Sequence, residues 1–366
     1  MKINYSYIIL FLFCFSCSQN IEEKKTETES IKTIETKIEK TISKFQFDSS
    51  VVHTDNKYYN LAFQEINQML LDKIPLDFKR AVFLVEWAYS GGELDYTEFC
   101  NQIDKIAKDL NKFVAAKGIS TYKTAGNYAL FEFFTKPHKM NNYKPYTYDF
   151  EDFYGEKDHR SMFVSKLLKT HEGQCRSMPI LYKILANEIK ANAYLALGPN
   201  HMYIKHLDEQ NKWVNIELTN GNFSSDSWMI SSMDISAESI RKGIYMKELS
   251  PKEDIAFCLK MLETAYESQY GYSKFGLACL DTSLIYFPTC IPSLAAKSNT
   301  LRHFGVAFQK KNGNYENAWL KENYRKFKEV NAKMEELGFR EMSPEKYEAW
   351  VKSMEAERSQ QLAKMK

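Results

Sequence analysis

Cys175, His201 and Glu217 follow one another in an order that suits nucleophilic chemistry at sulfur. A thiol is a poor nucleophile until it becomes a thiolate. Cys175 ends the triplet Gly173-Gln174-Cys175 at the head of a helical run. A helix N-terminus favours negative charge there, through its unpaired N–H groups and its dipole. His201, in Pro199-Asn200-His201-Met202-Tyr203-Ile204, is the residue type to take the thiol proton and return it to a leaving group. A third side chain must hold the imidazole in its working tautomer. Strand alternation in Trp213-Val214-Asn215-Ile216-Glu217 puts Asn215 and Glu217 on one face, so either could orient His201. Glu217 ranks first because its charge also stabilises an imidazolium. The backbone N–H of Cys175 is one expected donor to the oxyanion of a tetrahedral intermediate. Neither Gln174 nor the loop around Tyr154 can be assigned as the second from sequence. Taken singly, these residues also read as a packed cysteine, a satisfied strand histidine and a surface carboxylate; their joint order favours the set. His159, His171, Cys175, His201 and His206 could be gathered into a zinc site on paper, but no C-x-x-C or H-E-x-x-H spacing occurs among them.

The elements that must position these residues are legible in outline. Proline is tolerated only in the first turn of a helix, so Pro179 requires helical geometry to begin within a few residues of Cys175. Ile180, Leu181, Ile184, Leu185 and Ile189 mark the buried face of that helix. Residues 193–197, 201–207 and 212–218 read as strands, with Asp208-Glu209-Gln210-Asn211 turning a hairpin between the last two. Upstream, Leu61 to Leu70 marks one helix. Pro75 is expected to open a second, which Gly91-Gly92 closes. A stripe of Phe99, Ile103, Ile106, Leu110 and Phe113 marks a third, and residues 125–134 a fourth. Residues 137–160 read as a long ordered loop, a kind that is often functional, and 161–170 as a short helix.

Beyond Pro251 the chain is helical to its end. Gly276, Leu280, Ser283 and Pro288 have the spacing of the second half of a tetratricopeptide repeat; a plain helical extension fits nearly as well. Two further helices, 319–337 and 344–364, are charged on one side and frame the C-terminus.

The 366 residues carry a net charge of +2, which asks for no nucleic-acid partner. The length suits two domains with flanking segments. Lys2 and the apolar run from Tyr7 to Phe15 have signal-peptide length, too short to span a bilayer comfortably. The run ends in Ser16-Cys17, which resembles the lipobox of bacterial lipoproteins, although Cys14 and Phe15 depart from the commonest pattern. That resemblance implies lipidation at Cys17 and a place in a bacterial cell envelope, periplasmic or surface-facing. Residues 18–47 then read as a charged tether. With Cys14 removed and Cys17 lipidated, Cys100, Cys175, Cys258, Cys279 and Cys290 remain. In an oxidising compartment that odd number predicts one free thiol, with Cys175 the candidate.

Gly-Gln-Cys-Arg-Ser-Met-Pro-Ile-Leu-Tyr, Gly-Pro-Asn-His and Asn-Ile-Glu-Leu-Thr-Asn-Gly resemble the bacterial transglutaminase-like proteins, in the branch that adds tetratricopeptide-type helices. The resemblance covers residues 58–310 and is most specific around Cys175 and His201. It implies a papain-like α+β core over 48–247 and a TPR-like helical region over 248–366. It also implies a Cys-His-acid triad acting on an amide of a peptide or protein through a thioester, with no cofactor and no metal. Cys175 matches the nucleophile and His201 the base; Glu217 falls where the family more often has Asp. The competing expectation is a catalytically silent lipoprotein adaptor, binding a protein partner on its helical C-terminus. A structural surface lipoprotein is the weaker third.

Overall fold

Apolar residues at helical spacing build the first part of the fold in the computed structural model, which describes residues 57–313 and 317–364. The apolar run, Cys17 and the tether lie outside the described residues, as do residues 48–56 of the expected core. Helices α1 (Lys57–Leu70), α2 (Phe78–Tyr89), α3 (Tyr96–Ala116) and α4 (Ala125–Thr135) come first. Helix α2 opens later than Pro75 predicted. Asp77 is its N-cap, accepting a hydrogen bond from the Arg80 N–H at 2.9 Å, and the aspartate cap sets the boundary.

The loop 137–160 is ordered by its own bonds. The Asn141 amide donates to the carbonyls of Phe133 and Lys136 at 2.6 and 2.7 Å. Within it lies strand β1 (Thr147–Tyr148), paired in parallel with β2 (Glu172–Gly173). Two-residue strands carry no periodicity, so sequence did not show them. The helix expected over 161–170 is divided. A 3-10 turn, His159–Met162, precedes α5 (Val164–Thr170), with Phe163 extended between them. The buried Glu86 of α2 accepts from the N–H groups of Val164 and Ser165 at 2.7 and 2.9 Å, satisfying the start of α5.

Helix α6 (Ser177–Glu188) is buried along most of its length. It packs against an antiparallel sheet in the order β3 (Tyr194–Gly198), β4 (His201–Leu207), β5 (Trp213–Glu217), β6 (Asn222–Ser224). Strand β6 was not foreseen. The outer edge of β3 is covered by the chain near Met246 and Leu249, whose N–H groups donate to Leu197 and Leu195 at 2.9 and 2.8 Å. The class is α+β: a small antiparallel sheet among many helices.

Helices α7 (Asp226–Ser232) and α8 (Ala237–Arg241) lead to α9 (Pro251–Tyr270), which carries a Ser250–Glu253 capping box. Next come α10 (Lys274–Tyr286), α11 (Ile291–Asn312), α12 (Ala318–Glu336) and α13 (Pro344–Lys364). Each of α9 to α11 packs on the next, and α9 also packs on α1 and α2. Helices α10 and α11 meet through small residues, with the hydroxyls of Ser283 and Ser293 3.1 Å apart. One continuous apolar core runs from Tyr59 to Met354, and the described residues form a single compact unit. The boundary expected at 247/248 is therefore not a gap between separate cores, because α9 is shared by both sides. Among the described residues, no helix is long and apolar enough to cross a membrane.

Candidate functional site

The backbone between β2 and α6 presents the thiol. Gly173 permits a close approach: a Cβ there would sit 2.6 Å from the Ser177 hydroxyl oxygen and 2.8 Å from Leu167. Ser177 uses that hydroxyl twice, accepting from the Gln174 N–H at 2.9 Å and donating to the Ser161 carbonyl at 3.0 Å. Cys175 follows at the head of α6, half-buried, with Sγ 3.9 Å from the Asn200 carbonyl oxygen. Its own N–H has no acceptor among the described residues.

His201 is fixed by the tight turn before it. Gly198 pairs with His201 across the β3–β4 hairpin, leaving Pro199-Asn200 as the loop. Proline supplies the first turn position, and Asn200 takes φ 52° at the second, the combination of a type II turn. The imidazole Nε2 then meets Glu217 Oε2 at 2.6 Å, and both side chains are shut from solvent, at 0 and 1 % exposure. The other Glu217 oxygen accepts from the Thr219 N–H at 2.8 Å. Nδ1 of His201 is buried with no nitrogen or oxygen partner, and the Cys175 thiol is its polar neighbour.

Electrostatics follow from these neighbours. Burial alone would raise the Cys175 pKa; the hydrogen bond and charge of His201, then Arg176 and Tyr148, hold it below the ordinary thiol range. Burial alone would lower His201, but the Glu217 charge and the bonds to Cys175 and Glu217 raise it to about 10. Burial would raise Glu217, and His201 and Thr219 hold it below the usual carboxylate range. The trio favours a thiolate beside an imidazolium, itself beside a carboxylate.

Asn215 takes no part. Its amide donates to the Ser224 carbonyl at 3.1 Å and to Asp226 Oδ1 at 2.7 Å. Cross-strand pairing with Ser224 of β6 turns it to that partner, and the strand missing from the sequence reading explains the false alternative. Gln174 is likewise committed, its amide donating to the Asp152 carbonyl. Tyr154 is exposed and packs on Phe153 and Tyr347.

The thiol's unforeseen neighbour is Tyr148. Register places it opposite Gly173 in the β1–β2 pair. Its hydroxyl is buried with no nitrogen or oxygen partner, and it lies beside Cys175, where its O–H favours the thiolate. Two aromatic residues of α13 complete the surroundings. Trp350 meets the His201 ring edge-on at 4.6 Å, and Tyr347 lies 5.8 Å from Trp350. Their signal was present in the sequence as a stripe, Tyr347, Trp350, Val351 and Met354, at helical spacing.

Of the zinc set only Cys175 and His201 meet, and no group of three or more possible ligands occurs among the described residues. His171 stacks on Tyr146 at 4.4 Å, His159 on Tyr89 at 5.3 Å, and His206 bonds the Leu207 carbonyl. The described cysteines are all free, not Cys175 alone. Cys258, Cys279 and Cys290 are buried in or beside α9, α10 and α11 and act as small apolar residues. In comparisons with known proteins, no family model, no curated protein and no solved structure matches this chain.

Proposed function

We propose that this chain is a transglutaminase-like thiol enzyme with a papain-like core, hydrolysing or transferring an amide of a peptide or protein through a thioester on Cys175. The observation that carries the reading is the solvent-free 2.6 Å bond between His201 and Glu217, behind a half-buried thiol at a helix head. The thiolate attacks the amide carbonyl carbon, and an electron pair moves to its oxygen. The Cys175 N–H and the Tyr148 hydroxyl are the donors nearest that oxyanion. Collapse breaks the C–N bond, and the imidazolium of His201 gives its proton to the leaving amine. Water or a second amine, deprotonated by His201, then attacks the thioester and frees the thiol. Glu217 stays ionised throughout and holds the imidazole. The reading includes a bacterial envelope protein held to its membrane by a lipid on Cys17.

The test is alkylation of Cys175 in the full chain, followed by mass spectrometry across pH. We expect fast labelling well below the free-thiol value of about 8.5, lost in His201→Ala. Labelling that tracks an ordinary thiol and ignores His201 would overturn the reading. A silent adaptor would then lead, favoured by one observation: a groove between α11 and α12 lined by Leu301, Val306, Leu320, Tyr324 and Phe327.

A further inference from the structure

Helix α13 buries one continuous stripe: Tyr347, Trp350, Val351, Met354 and Arg358 are all under 6 % exposed. The stripe lies on the candidate site. Trp350 covers the His201 ring, and Tyr347 packs on Phe153 and Tyr154 at 6.0 and 5.5 Å. Polar anchors hold the helix on every side of that contact. The Asn220 amide donates to Glu357 at 2.7 Å, Arg358 donates to the Tyr146 carbonyl at 2.8 Å, and Lys346 pairs with Asp234 at 2.6 Å. The covering is selective: the His201 side chain is at 0 % exposure, whereas Cys175 stays half-buried. The helix therefore roofs the base with Trp350 and sets Tyr347 beside the nucleophile, which stays half-buried.

The geometry points to Trp350 as a positioning residue of the thiol site, its indole fixing the plane of the His201 imidazole and keeping water off the His201–Glu217 bond. This rests on the reading proposed above. The argument is dielectric. A charge pair that is weak in water strengthens several-fold where water is excluded. An indole edge against the ring supplies that exclusion without competing for the imidazole nitrogens. The ionisable groups facing His201 are Glu217 from β5 and Cys175 from the head of α6, with Tyr203 of β4 6.4 Å away. From α13 the ring contact is Trp350, the Tyr347 hydroxyl lies beside Cys175 and Tyr148, and the one hydrogen bond of Arg358 goes to Tyr146.

The experiment compares Trp350→Ala, Trp350→Phe and Lys352→Ala in the full chain. Iodoacetamide labelling of Cys175 is read as a rate against pH, with circular dichroism checking the fold. Trp350→Ala should move the midpoint of the labelling profile upward by about one unit, so that the rate at pH 6 falls about tenfold. Trp350→Phe should restore most of it, and Lys352→Ala, on the exposed face of α13, should leave the profile unchanged. Faster labelling in Trp350→Ala with an unmoved midpoint would make α13 a lid and overturn the proposal. An unmoved rate and midpoint would reduce Trp350 to packing and overturn it as well. If Trp350→Ala unfolds, Trp350→Leu, which keeps the apolar bulk without the aromatic edge, decides by the same midpoint. Were the wild-type profile itself indifferent to His201, the functional reading would fall. A His201-dependent profile that ignores residue 350 would remove only the positioning role.

Discussion

Two regions of the molecule each set thiols against a buried ion pair, with opposite results. At the head of α6, Cys175 faces the imidazole of the His201–Glu217 pair and is held low. In α9 and α10, Cys258 and Cys279 are fully buried near Asp254 and Glu263, and burial with those negative charges drives both well above the ordinary thiol range. The second region has its own pair, Lys260 with Glu263 at 2.8 Å. The difference lies in the charges that act on the sulfur besides burial: His201 at Cys175, Asp254 at Cys258 and Glu263 at Cys279. A cationic partner stabilises the thiolate; an anionic one adds to the cost of burial. Cysteine content alone says nothing of reactivity, and the sign of the nearest charge decides it.

The sharpest way to break that contrast is His201→Ala. Burial of Cys175 would then act with less opposition, and labelling at pH 6 should fall about a hundredfold, toward the inertness of Cys258. Glu217 would be left buried and unpaired, at a cost of about 3–5 kcal/mol measured by denaturant unfolding. The pH dependence has a definite sign. Glu217 is held low, so its stabilisation is present above the usual carboxylate range and lost as pH falls through its lowered value. His201 is held high, so its stabilisation is present below the usual imidazole value and lost as pH rises through about 10. Wild type and variant should differ most between those limits.

A smaller effect sharpens the comparison from the other side. Arg176, next to Cys175, is half-buried, and no hydrogen bond or ion pair of its side chain occurs among the described residues. Its charge lowers the Cys175 pKa and should also draw anionic reagents. The ratio of iodoacetate to iodoacetamide labelling should therefore fall by roughly threefold in Arg176→Gln, a change that thiolate fraction cannot mimic because both reagents share it. An unchanged ratio would show that the guanidinium does not reach the thiol's approach. The smallest expected effect is Asn215→Ala. That amide serves Ser224 and Asp226, so the labelling profile should not move; a shifted midpoint would return Asn215 to the site.

The legible part of the site was the part written in residue type and order. Cys175, His201 and Glu217 come from the head of α6, from β4 and from β5, whose starts are marked by Pro179, Pro199-Asn200 and a polar hairpin turn, so local chemistry announces them. Tyr148 was hidden because its strand is two residues long and pairs across a loop with β2. Asn215 misled because alternation gives the face of a strand but not the neighbour on its far edge. Trp350 lay in plain view on an amphipathic helix, but nothing in a linear pattern says which surface such a helix will cover. Tertiary contact over long sequence separation is what single-chain reading lacks, and it governs the divided domain boundary as well.

The roof over His201 has a consequence for the order of events during synthesis. Cys175, His201 and Glu217 leave the ribosome together, and α13 follows only after α7 to α12 have been made. Domains fold as units as they emerge, and α13 shares one core with the site, so the imidazole–carboxylate pair is enclosed only once α13 has been made. Its dry setting arrives with the docking of α13 onto Tyr146, Asn220 and Asp234. The thiol is thus synthesised well before the helix that encloses its partner pair, and that enclosure is timed by translation.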